Sequence, residues 1–327
     1  MYLNRRELLT NNQRLAIMSI SDNIPADELT KYYTLSFEDI DLINNHRGDY
    51  NRLGFAIQLT ILRHFGWSIF DFNAILINII KFVANQIDVD FSLFNIYLIE
   101  VGKSTKSNHL NEICEIFGYK KFDNLIKELI FNKALEKASV TNNGVYLVNK
   151  VVNILKQDKI ILPSIRSLEQ IVWEARKHLE QTIFENIYNS LTYMQRNLID
   201  KILLIDSDQV KTRLSWLREI PGKASPETFL EIIKRLNYIV SINIKIDLNC
   251  LHNNKEKELY RLASKYDSYD FKRFDDFKKY GLLSIYLLNL QKDFIDQAFY
   301  IHDTQITTLQ SNGRKAQEEI LKKNEKK

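Results

Sequence analysis

Glycine and proline are scarce in this chain, 9 and 4 among 327 residues. A β-sandwich or propeller needs a turn residue every few positions, so both are excluded and long helices are favoured. The two cysteines, Cys114 and Cys250, stand far apart and outside any CxxC pair. Free thiols in a reducing compartment are expected from that usage. No charge-free run exceeds twelve residues, the longest apolar one being Tyr280 to Gln291, whereas a membrane-spanning helix needs about 20. The first thirty residues carry Arg5, Arg6, Glu7, Arg14 and Asp22 and show no signal-peptide pattern. The phosphate, zinc and acyl-transfer signatures GxxxxGK(S/T), HExxH, GxSxG and GxGxxG are all missing. Six histidines include no pair at i, i+3 or i+4, which argues against a two-histidine metal site on a helix. The carboxylate pairs Asp275-Asp276 and Glu318-Glu319 are adjacent in sequence and splay apart on a helix.

What is present is an ordinary globular balance, 45% apolar and 26% charged, with a net charge of +4. The mild cationic excess permits nucleic-acid binding without demanding it. Helix starts are legible. Ser36 with Asp39, Ser167 with Gln170 and Thr192 with Gln195 form capping-box patterns ahead of apolar stripes. Ser225-Pro226-Glu227 places a cap and then proline at the first helical position. Leu282 to Asn312 lacks glycine and proline and predicts one long helix. The alternation of Val240, Ile242, Ile244, Ile246 and Leu248 predicts a short strand or extended connector. Asn143-Gly144 fits either a small hairpin or a plain helix-to-helix turn.

Two segments are dense in candidate contacts. In His46 to His64, Gly48 is placed to end one helix in the left-handed conformation and Asp49 to cap the next. The helix that follows is apolar nearly all round from Leu53 to Leu62, the pattern of a buried central helix. Arg47 and Arg52 have two readings, ion pairs with Asp39 or Asp49 at the helix junction, or contacts to phosphate. In Phe91 to Phe117, an apolar helix, the turn Val101-Gly102-Lys103-Ser104 and a second helix opening at Thr105 make a helix-turn-helix layout. Its groove-facing residues would be Thr105, Lys106, Asn108 and His109, with Lys103 and Ser104 near the backbone; the same pattern also suits an ordinary helix pair. The basic residues of the second half, including Arg166, Arg176, Lys177, Arg196, Lys211, Arg213, Arg218, Lys223, Lys234 and Arg235, are expected on solvated faces.

Three blocks carry a family resemblance. Tyr32 to Asp39 with Arg47 to Leu59 and Leu62-Arg63, then Lys103-Ser104-Thr105 to His109-Leu110, then Gly118-Tyr119-Lys120-Lys121-Phe122, resemble the N-terminal region of Tn-three family transposases. Phe82 to Ile87, Ile161-Leu162-Pro163 and Leu214 to Arg218 extend the resemblance over almost the whole chain. Lys103 and Lys106 stand where arginine is usual, which keeps charge and loses bidentate geometry.

The resemblance implies an all-α fold of two multi-helix modules, the first with a helix-turn-helix-like pair, ending in a long helix. The expected division is 1–120, an N-terminal DNA-binding domain, then 121–310, a second one, then 311–327, a basic tail or connector. The implied function is sequence-specific binding of double-stranded DNA at transposon terminal inverted repeats. A helical scaffold or regulator pairing with full-length transposase is the alternative. The candidate DNA-binding residues are Arg47, Asn51, Arg52, Arg63, Lys103, Ser104, Thr105, Lys106, Asn108, His109, Lys120 and Lys121. The acidic catalytic domain of such transposases is expected to be absent from these residues, so no enzymatic activity, metal, cofactor, small-molecule substrate or membrane is expected. The implied location is the bacterial cytoplasm, at the nucleoid.

Overall fold

The computed structural model describes residues 8–18, 24–71, 77–205, 210–248 and 251–324. Among them the chain is all-α, as expected; no strand forms, and two isolated bridges join Lys120 to Ile160 and Ile205 to Thr212. No described helix is long and apolar enough to cross a membrane. The chain divides into two compact units, Met1–Lys177 and His178–Lys327.

The first unit holds α1 (Asn11–Met18), α2 (Ala26–Tyr33), α3 (Phe37–Asn44), α4 (Asp49–Phe65), α5 (Ile77–Gln86), α6 (Leu93–Ile99), α7 (Lys103–Phe117), α8 (Asn124–Ala138), α9 (Gly144–Gln157) and the start of α10 (Ile165–Ser190). Ser36 and Asp39 close the capping box of α3. Helix α3 ends at Asn44, four residues before the expected glycine stop. Gly48, at φ +84°, instead holds the cap position ahead of α4, a backbone conformation that a Cβ disfavours. Asn143 caps α9, its side chain accepting from the Tyr146 amide at 3.1 Å. The Asn143-Gly144 step is therefore a helix-to-helix turn and not a hairpin. Helix α10 begins at Ile165, with Ser164 Oγ accepting from the Ser167 amide at 3.3 Å. The cap is thus Ser164, and Ser167 lies inside the helix.

Helix α4 is the centre of the first unit. Every residue from Leu53 to Leu62 is buried, and α2, α3, α5, α6 and α7 all pack on it. Gly54 sits where α6 crosses. A Cβ at Gly54 would lie 2.2 Å from Tyr97 Cδ2 and 2.3 Å from two further ring atoms. Tyr97 is itself fully buried, so the ring has no free volume into which to retreat.

The second unit holds the rest of α10 with α11 (Tyr193–Ile202), α12 (Arg213–Leu217), α13 (Pro226–Ile242), α14 (Asn253–Lys265), α15 (Ser268–Arg273) and α16 (Asp276–Asn324). Thr192 with Gln195 and Ser225 with Pro226 open α11 and α13 as their sequences predict. Helix α16 is longer than expected at both ends. Helices α11, α13 and α14 pack on it, and every residue from Tyr280 to Leu287 is buried. From His302 to Glu319 its side chains are exposed or half-buried. The expected strand from Val240 is corrected: α13 runs on to Ile242, and Asn243 stops it in the left-handed region at φ +56°. The stripe of Ile232, Ile239 and Ile242 is buried while Val240 is half exposed. A 3.6-residue period therefore overrides the local period of two. Only the residues after Asn243 form the extended connector.

Replacing Gly54 by Ala should destabilise the protein by about 2–3 kcal/mol, because overpacking against a fixed ring outweighs the better helix propensity of alanine. Thermal melting of the Gly54→Ala protein, with Gly102→Ala as a control where nothing lies within 4 Å of the added carbon, measures it.

Candidate nucleic-acid interface

The α3–α4 turn places Arg47 in solvent, exposed and without an ion pair among the described residues. Its neighbours face inward. Asn51 Nδ2 donates to the Arg47 carbonyl at 2.9 Å. Arg52 pairs with Asp49 at 3.1 Å and donates to Asn44 Oδ1 and, at 3.4 Å, to the Ile87 carbonyl. Arg63 grips Asp39 bidentately at 2.9 and 2.8 Å. Asp39 is only 2% exposed. Burial alone would raise its carboxyl, but the Arg63 guanidinium and the Ser36 amide hold it below the usual carboxylate range. Arg52 makes the helix-junction pair with Asp49, while Asp39 is taken by Arg63.

Helix α7 opens at Lys103 behind Gly102, two residues before the expected Thr105. Two of its candidate groove residues are turned into the core: Lys106 is 7% exposed and His109 5%. Lys106 Nζ donates to the Leu98 carbonyl at 2.8 Å, which ties α7 to α6. Gln58 on α4 donates to the Tyr97 hydroxyl and, at 3.1 Å, to the Lys106 carbonyl. With that hydroxyl accepting from Gln58, its own hydrogen goes to His109 Nδ1 at 3.0 Å, which leaves the ring proton on Nε2. Burial, with His46 beside it, pushes the His109 pKa down to about 4, and burial pushes Tyr97 up to about 12. His46 meets His109 edge-on, ring centres 4.6 Å apart, and lies 3.6 Å from Glu112. The Arg47 turn is thereby set against the middle of α7.

What α7 leaves in solvent is Lys103, Ser104 and Asn108, with Thr105 half-buried. Lys120 and Lys121 are exposed beyond its end. The Lys120 backbone is held between Lys159 and Ile161, donating at 2.8 Å and accepting at 2.9 Å. The candidates thus fall into two sets. Arg47, Lys103, Ser104, Asn108, Lys120 and Lys121 face solvent, with Thr105 half-buried among them, while Asn51, Arg52, Arg63, Lys106 and His109 make bonds within the protein.

Two basic residues of the second unit depart from the expected solvated faces. Arg218 donates to the Ala263 and Tyr266 carbonyls at 2.9 and 2.6 Å and to the Tyr286 hydroxyl at 3.2 Å. Arg235, 4% exposed, meets Glu231 at 3.2 Å and the Glu219 carbonyl at 2.6 Å. Lys255, absent from the sequence candidates, is fully buried beside Glu180 at 3.0 Å. These cations stitch α10, α12, α13, α14 and α16 together. No group of three histidine, cysteine or acidic residues suited to a metal ion occurs among the described residues.

Two outcomes follow for the first unit. Arg63→Ala should cost about 2–3 kcal/mol, since it strands a buried carboxylate; chemical denaturation measures it. His109 is neutral when folded, with a pKa of about 4 against 6.5 for the free side chain. Between those values the unfolded chain binds the extra proton. This contribution is complete above pH 6.5 and is lost as pH falls to about 4, on the order of 3 kcal/mol. Melting curves across that range, flatter for His109→Gln, check it.

Comparison with known proteins adds a family. The model of a domain of unknown function, DUF4158, matches residues 8–175. The transposase for transposon Tn1546 of Enterococcus faecium is 40% identical over 327 residues, 98% of this chain and 32% of that protein. The transposase for transposon Tn501 of Pseudomonas aeruginosa is 27% identical over 323 residues, again 98% of this chain and 32% of the relative. The transposase for transposon gamma-delta of Escherichia coli strain K12 is 24% identical over 301 residues, 88% of this chain and 29% of the relative. The chain spans about a third of the length of these curated relatives. Matched by that model over half its length, the chain belongs to the DUF4158 family.

Proposed function

We propose that these 327 residues are the DNA-binding portion of a Tn-three family transposase and recognise the terminal inverted repeats of a transposon. The observation that carries this reading is the 40% identity to a transposase along 98% of the chain. The surface chemistry agrees with it. Arg47, Lys103, Lys120 and Lys121 are exposed cations without an ion pair among the described residues, as phosphate contacts require. Asn108, exposed on α7, has the side chain that pairs with adenine in a major groove. Glu112 and Glu115 further along α7 repel phosphate, which confines the approach to the first turns of that helix. Lys106, His109, Arg52 and Arg63 act through the fold, by holding α7 and the Arg47 turn in place.

Strand cleavage and joining belong, on this reading, to the part of such transposases outside the matched third. Made alone, the chain would compete with a full-length transposase for transposon ends, in the bacterial cytoplasm and at the nucleoid.

Fluorescence anisotropy on a duplex carrying the terminal repeat of transposon Tn1546, against a random duplex of equal length, tests the reading. Preference for the repeat is expected, with affinity that falls steeply with salt. Lys103→Ala should weaken binding to both duplexes alike and reduce the slope of log K against log salt by about 0.9. Equal affinity for the two duplexes at all salt concentrations would point to the scaffold instead.

A further inference from the structure

Helix α9 presents a face whose residues are not among the candidate DNA contacts read from the sequence. Its inner residues Leu147, Val148, Val151, Val152 and Leu155 are all buried, so its orientation is fixed by packing. On the outside, Tyr146, Asn149, Lys150 and Asn153 are exposed at spacings i, i+3, i+4 and i+7, which is one stripe of a helix. The helix sequence, GVYLVNKVVNILKQ, holds no carboxylate, whereas the exposed side of α7 carries Glu112 and Glu115.

The surroundings are cationic at both ends. Beside the first turn lies a depression of about 510 Å³ lined by Lys137, Thr141, Asn143, Tyr146 and Lys150 among others. At the far end the chain pairs with the Lys120 backbone, and Lys120, Lys121 and Lys159 are exposed there. Along the sequence the nearest acids to α9 are Glu136, paired with Lys137 at 2.8 Å, and Asp158 beyond the last turn. Helix α8 precedes α9 and packs on it across the five-residue link 139–143. The geometry is therefore a short turn followed by a helix whose outer face is polar, uncharged or basic, with no side-chain hydrogen bond at Asn149 or Asn153 among the described residues.

We propose that the outer face of α9 is a second contact to duplex DNA, seated in the major groove. Asn149 and Asn153 read base edges there, and Lys150 meets phosphate. Charge complementarity selects this occupant: an acid-free stripe between lysine clusters suits a polyanion, and asparagine is the side chain that pairs with the two major-groove positions of adenine. The inference rests on the DNA-binding reading above and adds a reading surface distinct from α7.

The test uses the full chain and a pool of random-sequence duplexes, from which the wild-type protein selects its preferred sites. Affinity for the selected duplex and for the unselected pool is then measured with Asn149→Ala, Asn153→Ala, Lys150→Ala and wild type, with melting temperatures taken on the same samples. The expected result is a fall of about tenfold in the selected-to-random ratio for at least one asparagine variant at unchanged melting temperature. For Lys150→Ala, binding to both duplexes should weaken together and the salt slope should drop by about one. A wild type that enriches no sequence overturns the DNA-reading function and this inference with it. Wild-type enrichment with ratios and salt slopes unchanged in all three variants leaves that function standing and sinks the role of α9.

Discussion

Helix α4 has no solvent face between Leu53 and Leu62, and the rest of the first unit is arranged to cover it. Five helices must reach it, and the closest approach is made over Gly54 by the ring of Tyr97. That approach brings the Tyr97 hydroxyl to Gln58 and His109, so the core acquires a polar chain as well as an apolar one. A buried amide, phenol and imidazole are costly unless they satisfy one another. Here the chain of donation runs from Gln58 through Tyr97 to His109, and a second bond from Gln58 pins the backbone of α7. The placement of the exposed residues of α7 thus depends on a glycine two elements away.

The same economy governs the cations. Arg63, Lys106, Arg218, Arg235 and Lys255 are spent inside the fold, on Asp39, the Leu98 carbonyl, the carbonyls at the end of α14, Glu231 and Glu180. A net charge of +4 therefore understates how local the free positive charge is. Among the candidate contacts of the first unit, the exposed cations lie where helices begin and end: the Arg47 turn, the start of α7 and the Lys120-Lys121 step.

Much of the helical frame is legible from local chemistry. Ser36 with Asp39, Thr192 with Gln195 and Ser225-Pro226 announce their helices because capping bonds join residues three apart, and the continuous apolar surface of Leu53 to Leu62 announces a buried helix. The strand expected from Val240 failed because two periods compete there, and burial of Ile239 and Ile242 decides between them. The fates of Lys106 and His109 were less visible, because the direction of a polar side chain is set by distant partners such as Leu98 and Tyr97. A signal did exist: both lie in phase with Ile113, seven and four residues before it, on the inner stripe of α7. The basic residues Arg218 and Arg235 carry no comparable local mark, since their partners belong to other helices.

Helix α16 changes character along its length, clasped over Tyr280 to Leu287 and exposed or half-buried from His302 to Glu319. At 1.5 Å per residue, its stretch from His302 to Asn324 extends about 35 Å. Such a rod behaves as a lever arm whose fulcrum is the clasp. The clasp is braced by Tyr280 on Asp200 at 2.6 Å, Lys279 on Asp200 at 3.1 Å and Lys292 on Glu256 at 2.9 Å. A tilt of about 5° there, well within what repacked side chains allow, carries the far end through about 3 Å. Rearrangements too small to disturb the core around Leu283 are in this way magnified into displacements the size of a side chain.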